Sequence, residues 1–320
     1  MVGMTHTEQL ERIEGIVPAC ITPFTEDHSI NPDMVEPLVD HFANAGVGGL
    51  FVNGSSAEFL TLTDDERKIM AEAYKQAADR HDLPVIVHVG ARSLESAVEL
   101  AGHAESIGVD AIATLPPVER ENSTIDNDFA WYQAVGAASN LPLITYLRSD
   151  MGNGDIGPKE FLTRATGIPT LAGIKYGAPN MHIPQGIKQL RPGLKILTGP
   201  DELLLPGLIM DSDGAIGTTY NAFPNHAVDI YQSFQEGDMP RARKLQRELG
   251  AVIHELIDEG VVLAGTKAIM REQGLAVGQC RPSETYGMAQ AAHTEKKFTD
   301  RVTSRQVDGL MRIVRKYGMN

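Results

Sequence analysis

The chain has 320 residues, 42% of them apolar, a formal net charge of -14 and only two cysteines, Cys20 and Cys280. That length can bury a full core, as one large α/β domain or as two smaller ones. The acidic balance, with no basic block to neutralise phosphates, argues against a nucleic-acid partner, and two distant cysteines without metal-type spacing fit a reducing cytoplasm better than a disulfide scaffold.

The N-terminal stretch, with Glu8, Glu11, Arg12 and Glu14, has neither the basic start nor the apolar centre of an export signal. Short apolar runs, the pattern of buried parallel strands, follow near 16–21, 48–53, 84–89, 109–114, 141–146, 171–175, 194–198 and 213–218. Helical patterns lie between them. Thr63-Asp64-Asp65-Glu66 spells a capping box whose acids favour the helix dipole, and Ser93 precedes Leu94, Val98 and Ala101 at helical spacing. Ala45-Gly46-Val47 and Ile107-Gly108-Val109 each place a glycine where a helix stops and a strand starts, which suggests one repeated unit. Eight such units without a dividing linker predict a (β/α)8 TIM barrel over residues 1–225. Residues 226–320 are expected to form a helical extension, with helices near Asp238–Ile257 and Asp300–Tyr317 packed on the barrel or at a subunit contact. The run Leu203–Met210, broken by Pro206 and Gly207, is too short to span a membrane, so a soluble, cytoplasmic protein is expected.

A barrel of this kind carries its active site at the C-terminal strand ends. There the chain presents Gly54-Ser55-Ser56-Ala57-Glu58, Tyr146-Leu147-Arg148-Ser149, Lys175, Gly199-Pro200-Asp201-Glu202 and Gly217-Thr218-Thr219-Tyr220-Asn221. Lys175 closes the apolar run Leu171-Ala172-Gly173-Ile174. Desolvation there lowers an amine's pKa, and a neutral amine attacks carbonyl carbon, so Lys175 is a candidate for a Schiff base with a 2-oxo acid; the plainer reading is a solvated lysine just past a strand. Ser55 and Ser56, with nearby backbone N–H groups, can receive a carboxylate without a buried positive charge, or they form a turn that caps the helix at Thr63. Tyr146 is either a core tyrosine with its hydroxyl satisfied or, paired with Lys175 one strand away, a proton shuttle.

These residues resemble the N-acetylneuraminate lyase and dihydrodipicolinate synthase family of Schiff-base class I aldolases over Ile16 to about Ala276. Gly54–Glu58 stands for the Gly-Ser/Thr-Thr-Gly-Glu signature, Tyr146 and Lys175 stand at matching strand ends, and Asp213–Asn221 matches as well. Val87-His88-Val89-Gly90, Gly199–Glu202 and Gly217–Asn221 look like the neuraminate lyase branch. The resemblance implies a cofactor-free, metal-free lyase whose partners are small molecules: a 2-oxo sugar acid, with pyruvate and an aldehyde as products. It also implies a Schiff base at Lys175, proton transfer through Tyr146, carboxylate binding at Ser55 and Ser56, sugar contacts from Asp201, Glu202, Gly217 and Thr218, and a homotetramer.

Several residues depart from the pattern. Arg148 stands where the family continues differently, and it is read either as a bidentate partner for a second acidic group on the substrate or as a partner of Asp150 or a nearby loop. Ala57 replaces the signature glycine, Tyr176-Gly177 replace polar residues that hold the sugar, and Leu115–Glu119 lacks the tyrosine that many members lend to a neighbouring subunit's relay. Keto-deoxy sugar acid aldolase or dehydratase chemistry and synthase-like condensation are therefore alternatives on the same scaffold, and a catalytically silent sugar-acid-binding regulator is the alternative of another class. The intact pair Tyr146 and Lys175 favours the enzyme. Gly152–Gly157 spells a dinucleotide loop but lies well past its strand, with Asp155 where phosphates would sit. His88, inside an apolar strand with no metal-spaced partner, reads as a core histidine.

Overall fold

Eight strands, β1 (Gly15–Pro18), β2 (Leu50–Val52), β3 (Val85–His88), β4 (Ala111–Thr114), β5 (Leu143–Arg148), β6 (Leu171–Gly177), β7 (Lys195–Thr198) and β8 (Gly214–Gly217), form one parallel sheet in the order β1-β8-β7-β6-β5-β4-β3-β2. The structure is a computed structural model, and it describes residue 6 and residues 10–118, 124–148, 155–282 and 299–319. The two sheet edges meet through Ala19 opposite Phe51, where the Cys20 N–H donates to the Phe51 carbonyl at 2.8 Å and the Gly48 N–H to the Ile16 carbonyl at 2.8 Å. Eight helices each follow the strand of the same number: α1 (Val35–Ala45), α2 (Asp64–Asp79), α3 (Leu94–Ser106), α4 (Ile125–Ala137), α5 (Pro158–Ala165), α6 (His182–Leu190), α7 (Leu204–Ile209) and α8 (Pro224–Gln235). Three more, α9 (Met239–Asp258), α10 (Val262–Glu272) and α11 (Ser304–Tyr317), complete a (β/α)8 barrel with added C-terminal helices. α9 packs along α8, and α11 lies against α9 and α10.

Local sequence accounts for these boundaries. Thr63 and Glu66 cap α2 reciprocally, Ser93 accepts the Ser96 N–H at the start of α3, and Gly46 ends α1 at φ 79°, a left-handed conformation that glycine adopts without a Cβ penalty. The barrel lumen is filled by Val17, Phe51, Ile86, Ala113, Ile144, Leu197 and Ile216, and Leu10 and Ile13 from the segment before β1 join it. The outer faces of the strands pack with the helices in a second, larger apolar layer. No described helix is long and apolar enough to cross a membrane.

One irregularity decides where the chemistry falls. Leu143 pairs with Leu171 but Ile144 pairs with Gly173, so Ala172 is an extra residue in β6. Beyond it Tyr146 is opposite Lys175 and Arg148 opposite Gly177. Side chains alternate faces along a strand, so without the extra residue Lys175 would pair with Leu147, whose side chain belongs to the outer layer.

Candidate active site

Lys175 is the fifth of the seven residues of β6, the longest strand, 5% exposed, and its side chain crosses the barrel mouth. Its Nζ is 4.3 Å from the centroid of the Phe51 ring on β2 and 4.4 Å from that of Tyr146 on β5. Burial pushes its pKa down to about 7, the positive charge of Arg148 pushes in the same direction, and Asp201 opposes them. The bland alternative of a solvated lysine is thereby removed.

Tyr146 rests on Gly177, where a Cβ would stand 2.6 Å from its ring, and its backbone carbonyl accepts the Tyr132 hydroxyl at 3.0 Å. Gly177 therefore serves the tyrosine's placement, whereas Tyr176 is wholly buried in the outer layer and donates its hydroxyl to the Asn180 carbonyl at 2.9 Å. Arg148 is 2% exposed, with its guanidinium carbon 5.6 Å from the Tyr146 ring centroid. Ser149 and Asp150, with most of the glycine-rich stretch after them, lie outside the described residues, as does Glu119.

Across the mouth, Ser55–Ala57 forms a single 3-10 turn after β2. The Ser56 hydroxyl shares a 2.6 Å hydrogen bond with that of Thr218, and the Ser55 hydroxyl is buried without a hydrogen-bond partner among the described residues. Neither serine caps α2, a task that Thr63 performs. Asp201, in a short turn after β7, accepts the Thr219 N–H at 2.6 Å and the Thr219 hydroxyl at 2.5 Å through Oδ2, while Oδ1 lies 2.4 Å from where a Cβ on Gly217 would stand. Burial pushes its carboxyl up to about 6, against the two Thr219 hydrogen bonds. Glu202 follows it, half-buried. Strand ends β2, β5, β6, β7 and β8 thus bring two serines, a tyrosine, an arginine, the lysine, two carboxylates and Thr218 to one rim.

His88 is 1% exposed: its Nε2 accepts the Leu115 N–H at 3.3 Å, so Nδ1 carries the proton and donates to the Asn53 carbonyl at 3.0 Å. Burial and neighbouring cations hold it neutral, well below the usual histidine value. It is a satisfied core residue. Among the described residues no cluster of His, Cys, Asp or Glu could hold a metal ion. Sequence reasoning missed Phe51, Thr219 and Lys267. Lys267 had a readable signal, a lone ammonium inside Val262-Leu-Ala-Gly-Thr-Lys-Ala-Ile-Met270, since a buried lysine needs a partner.

The sequence profile of the dihydrodipicolinate synthetase family matches residues 12–298. An N-acetylneuraminate lyase of Rhizobium meliloti (strain 1021) is 34% identical over 270 residues, covering 84% of this chain and 89% of that protein. The sialic acid aldolase of Ruminococcus gnavus superposes with a TM-score of 0.84 at 27% identity, covering 96% of this chain and 99% of that one. A second solved structure of that enzyme, a catalytic lysine mutant, gives a TM-score of 0.83 at 27% identity, covering 97% and 98%.

Proposed function

The chain belongs to the dihydrodipicolinate synthetase family, and we propose that it is a pyruvate-dependent class I aldolase, a lyase that cleaves a 2-oxo sugar acid through a Schiff base on Lys175. The observation that carries this reading is the buried Lys175, with a pKa pushed down to about 7, paired across the strands with Tyr146. A fraction of neutral amine near pH 7 is what attack on a ketone requires.

The neutral Lys175 amine adds to C2 of the substrate, and the adduct takes up a proton from solvent and loses water to give an iminium. As the C4 hydroxyl gives its proton to the Tyr146 oxygen, which passes its own proton on to solvent, the bond between C3 and C4 breaks. Its electrons flow toward the iminium nitrogen, leaving an aldehyde and an enamine. The same phenol returns a proton to C3, and water hydrolyses the iminium to release pyruvate and free Lys175. Ser55 and Ser56 take the substrate carboxylate, and Asp201, Glu202, Gly217 and Thr218 line the polyol. The neighbouring enzymes named N-acetylneuraminate lyase and sialic acid aldolase support a sugar acid as substrate.

The buried Arg148 beside Tyr146 favours a second reading, a keto-deoxy sugar acid with a further acidic group, through a bidentate contact. A panel of sugar acids assayed for pyruvate release separates the two. Cleavage of N-acetylneuraminate supports the first, and cleavage or dehydration of a keto-deoxy diacid in its place supports the second. A cytoplasmic homotetramer belongs to the same proposal. The exposed Leu94 and Val98, one turn apart on α3, are apolar surface that a second copy would cover.

A further inference from the structure

Behind the Ser55-Ser56 turn lies a buried ion pair that the chemistry above does not use. Lys267, on α10, is 0% exposed, and its Nζ donates to Glu58 Oε1 at 2.6 Å, to the Thr22 carbonyl at 2.8 Å and to the Gln279 carbonyl at 3.3 Å. The ammonium also lies 4.5 Å from the centroid of the Phe24 ring. Glu58 Oε2 accepts the Arg281 N–H at 2.8 Å. Groups from the loop after β1, the turn after β2, α10 and the segment after α10 therefore converge on one charge pair.

Replacing a buried ion pair with apolar side chains is often neutral or stabilising, so stability alone does not account for it. Glu58 also adopts φ 60°, a left-handed conformation that a glycine would take at lower cost. What the pair does hold is the end of the turn. The Glu58 N–H donates to the Ser55 carbonyl at 3.0 Å and the Ala57 N–H to the Gly54 carbonyl at 3.0 Å. Thr22, whose carbonyl accepts Lys267, donates its hydroxyl to the Ala57 carbonyl at 2.7 Å. Lys267 thus grips the turn by two routes, through the Glu58 carboxylate and through Thr22. Neither member of the pair hydrogen-bonds to the Ser55 or Ser56 hydroxyl.

We infer that Glu58 and Lys267 are positioning residues for recognition of the 2-oxo acid carboxylate: the C-terminal helix α10 fixes the Ser55-Ser56 turn at the reach from Lys175 that the carboxylate needs. The inference rests on the Schiff-base reading and adds a role for the C-terminal helices within it. A displaced turn loses carboxylate affinity while leaving the amine and the carbonyl chemistry in place.

The test compares borohydride trapping of pyruvate with trapping of methyl pyruvate, which has the same ketone but no carboxylate. The variants are Glu58→Ala and the double variant Glu58→Leu/Lys267→Met, which leaves no orphaned charge if the single variant fails to fold; circular dichroism establishes folding. The half-saturating pyruvate concentration is expected to rise at least about tenfold, since small misplacements of binding groups carry large penalties, while that for methyl pyruvate changes less than about twofold. Equal losses for both ketones, or no loss for either in a folded variant, overturn the inference alone. Absence of any adduct in the unmodified protein overturns the proposed function and the inference with it.

Discussion

Tyr146 on β5 stands directly opposite Lys175 on β6, and the extra residue Ala172 sets that register. A parallel pair one residue out of step would turn the amine toward the helical layer. The bulge therefore gives the barrel a phenol and an amine that face one space, with the ring centroid 4.4 Å from Nζ.

The rate of adduct formation follows neutral Lys175, so it rises as pH increases through about 7. Arg148→Gln removes a charge that holds this pKa down and moves the midpoint up; Asp201→Asn removes one that holds it up and moves the midpoint down. Initial trapping rates from acid to alkaline pH measure both shifts. A profile for Arg148→Gln that overlays the parent's rules out this electrostatic account.

Tyr146→Phe keeps the ring and loses the hydroxyl. Trapping of pyruvate is retained, while pyruvate release from a cleaved sugar acid falls by roughly 10²–10⁴-fold, the usual contribution of a positioned acid–base group. Loss of both activities in equal measure assigns the phenol to amine activation instead.

Gly177→Ala places a methyl group 2.6 Å from the Tyr146 ring, so the ring must move. Turnover is expected to fall by about 10–100-fold with the melting temperature lowered by a few degrees at most, because a shift of about 1 Å in a catalytic group is costly to rate. Steady-state kinetics beside thermal melts decide it, and unchanged turnover contradicts the placement.

Lys175→Met stabilises the fold. The lysine has an ordinary value in the unfolded chain and about 7 in the folded protein, so the unfolded chain binds the extra proton between those values. Below pH 7 both states bind it and the folded state bears the full cost, on the order of 5 kcal/mol. The variant's advantage in denaturant melts is therefore largest near pH 6 and shrinks steadily toward pH 10. An advantage that grows with pH contradicts the burial of an ammonium.

Strand positions were readable because buried parallel strands leave continuous apolar runs, and all eight fall where those runs lie. Lys175 was readable for the same reason, as a charge that ends such a run. The bulge at Ala172 was legible only in part: Gly173 inside the strand is a residue type that accompanies bulges, but it does not say which residue is extra, and register is a property of two strands at once. Lys267 was legible only as an anomaly in an apolar helix, since its partner Glu58 lies 209 positions away in sequence. Gly177 looked like a lost sugar contact, and its steric service to Tyr146 emerges only from the packed ring.

The most direct measurement is the intact mass of the protein after incubation with pyruvate and borohydride, followed by peptide mapping. A single reduced pyruvyl group on Lys175, lost in Lys175→Ala, is the predicted result. No adduct, or an adduct that persists in Lys175→Ala, contradicts the Schiff-base mechanism.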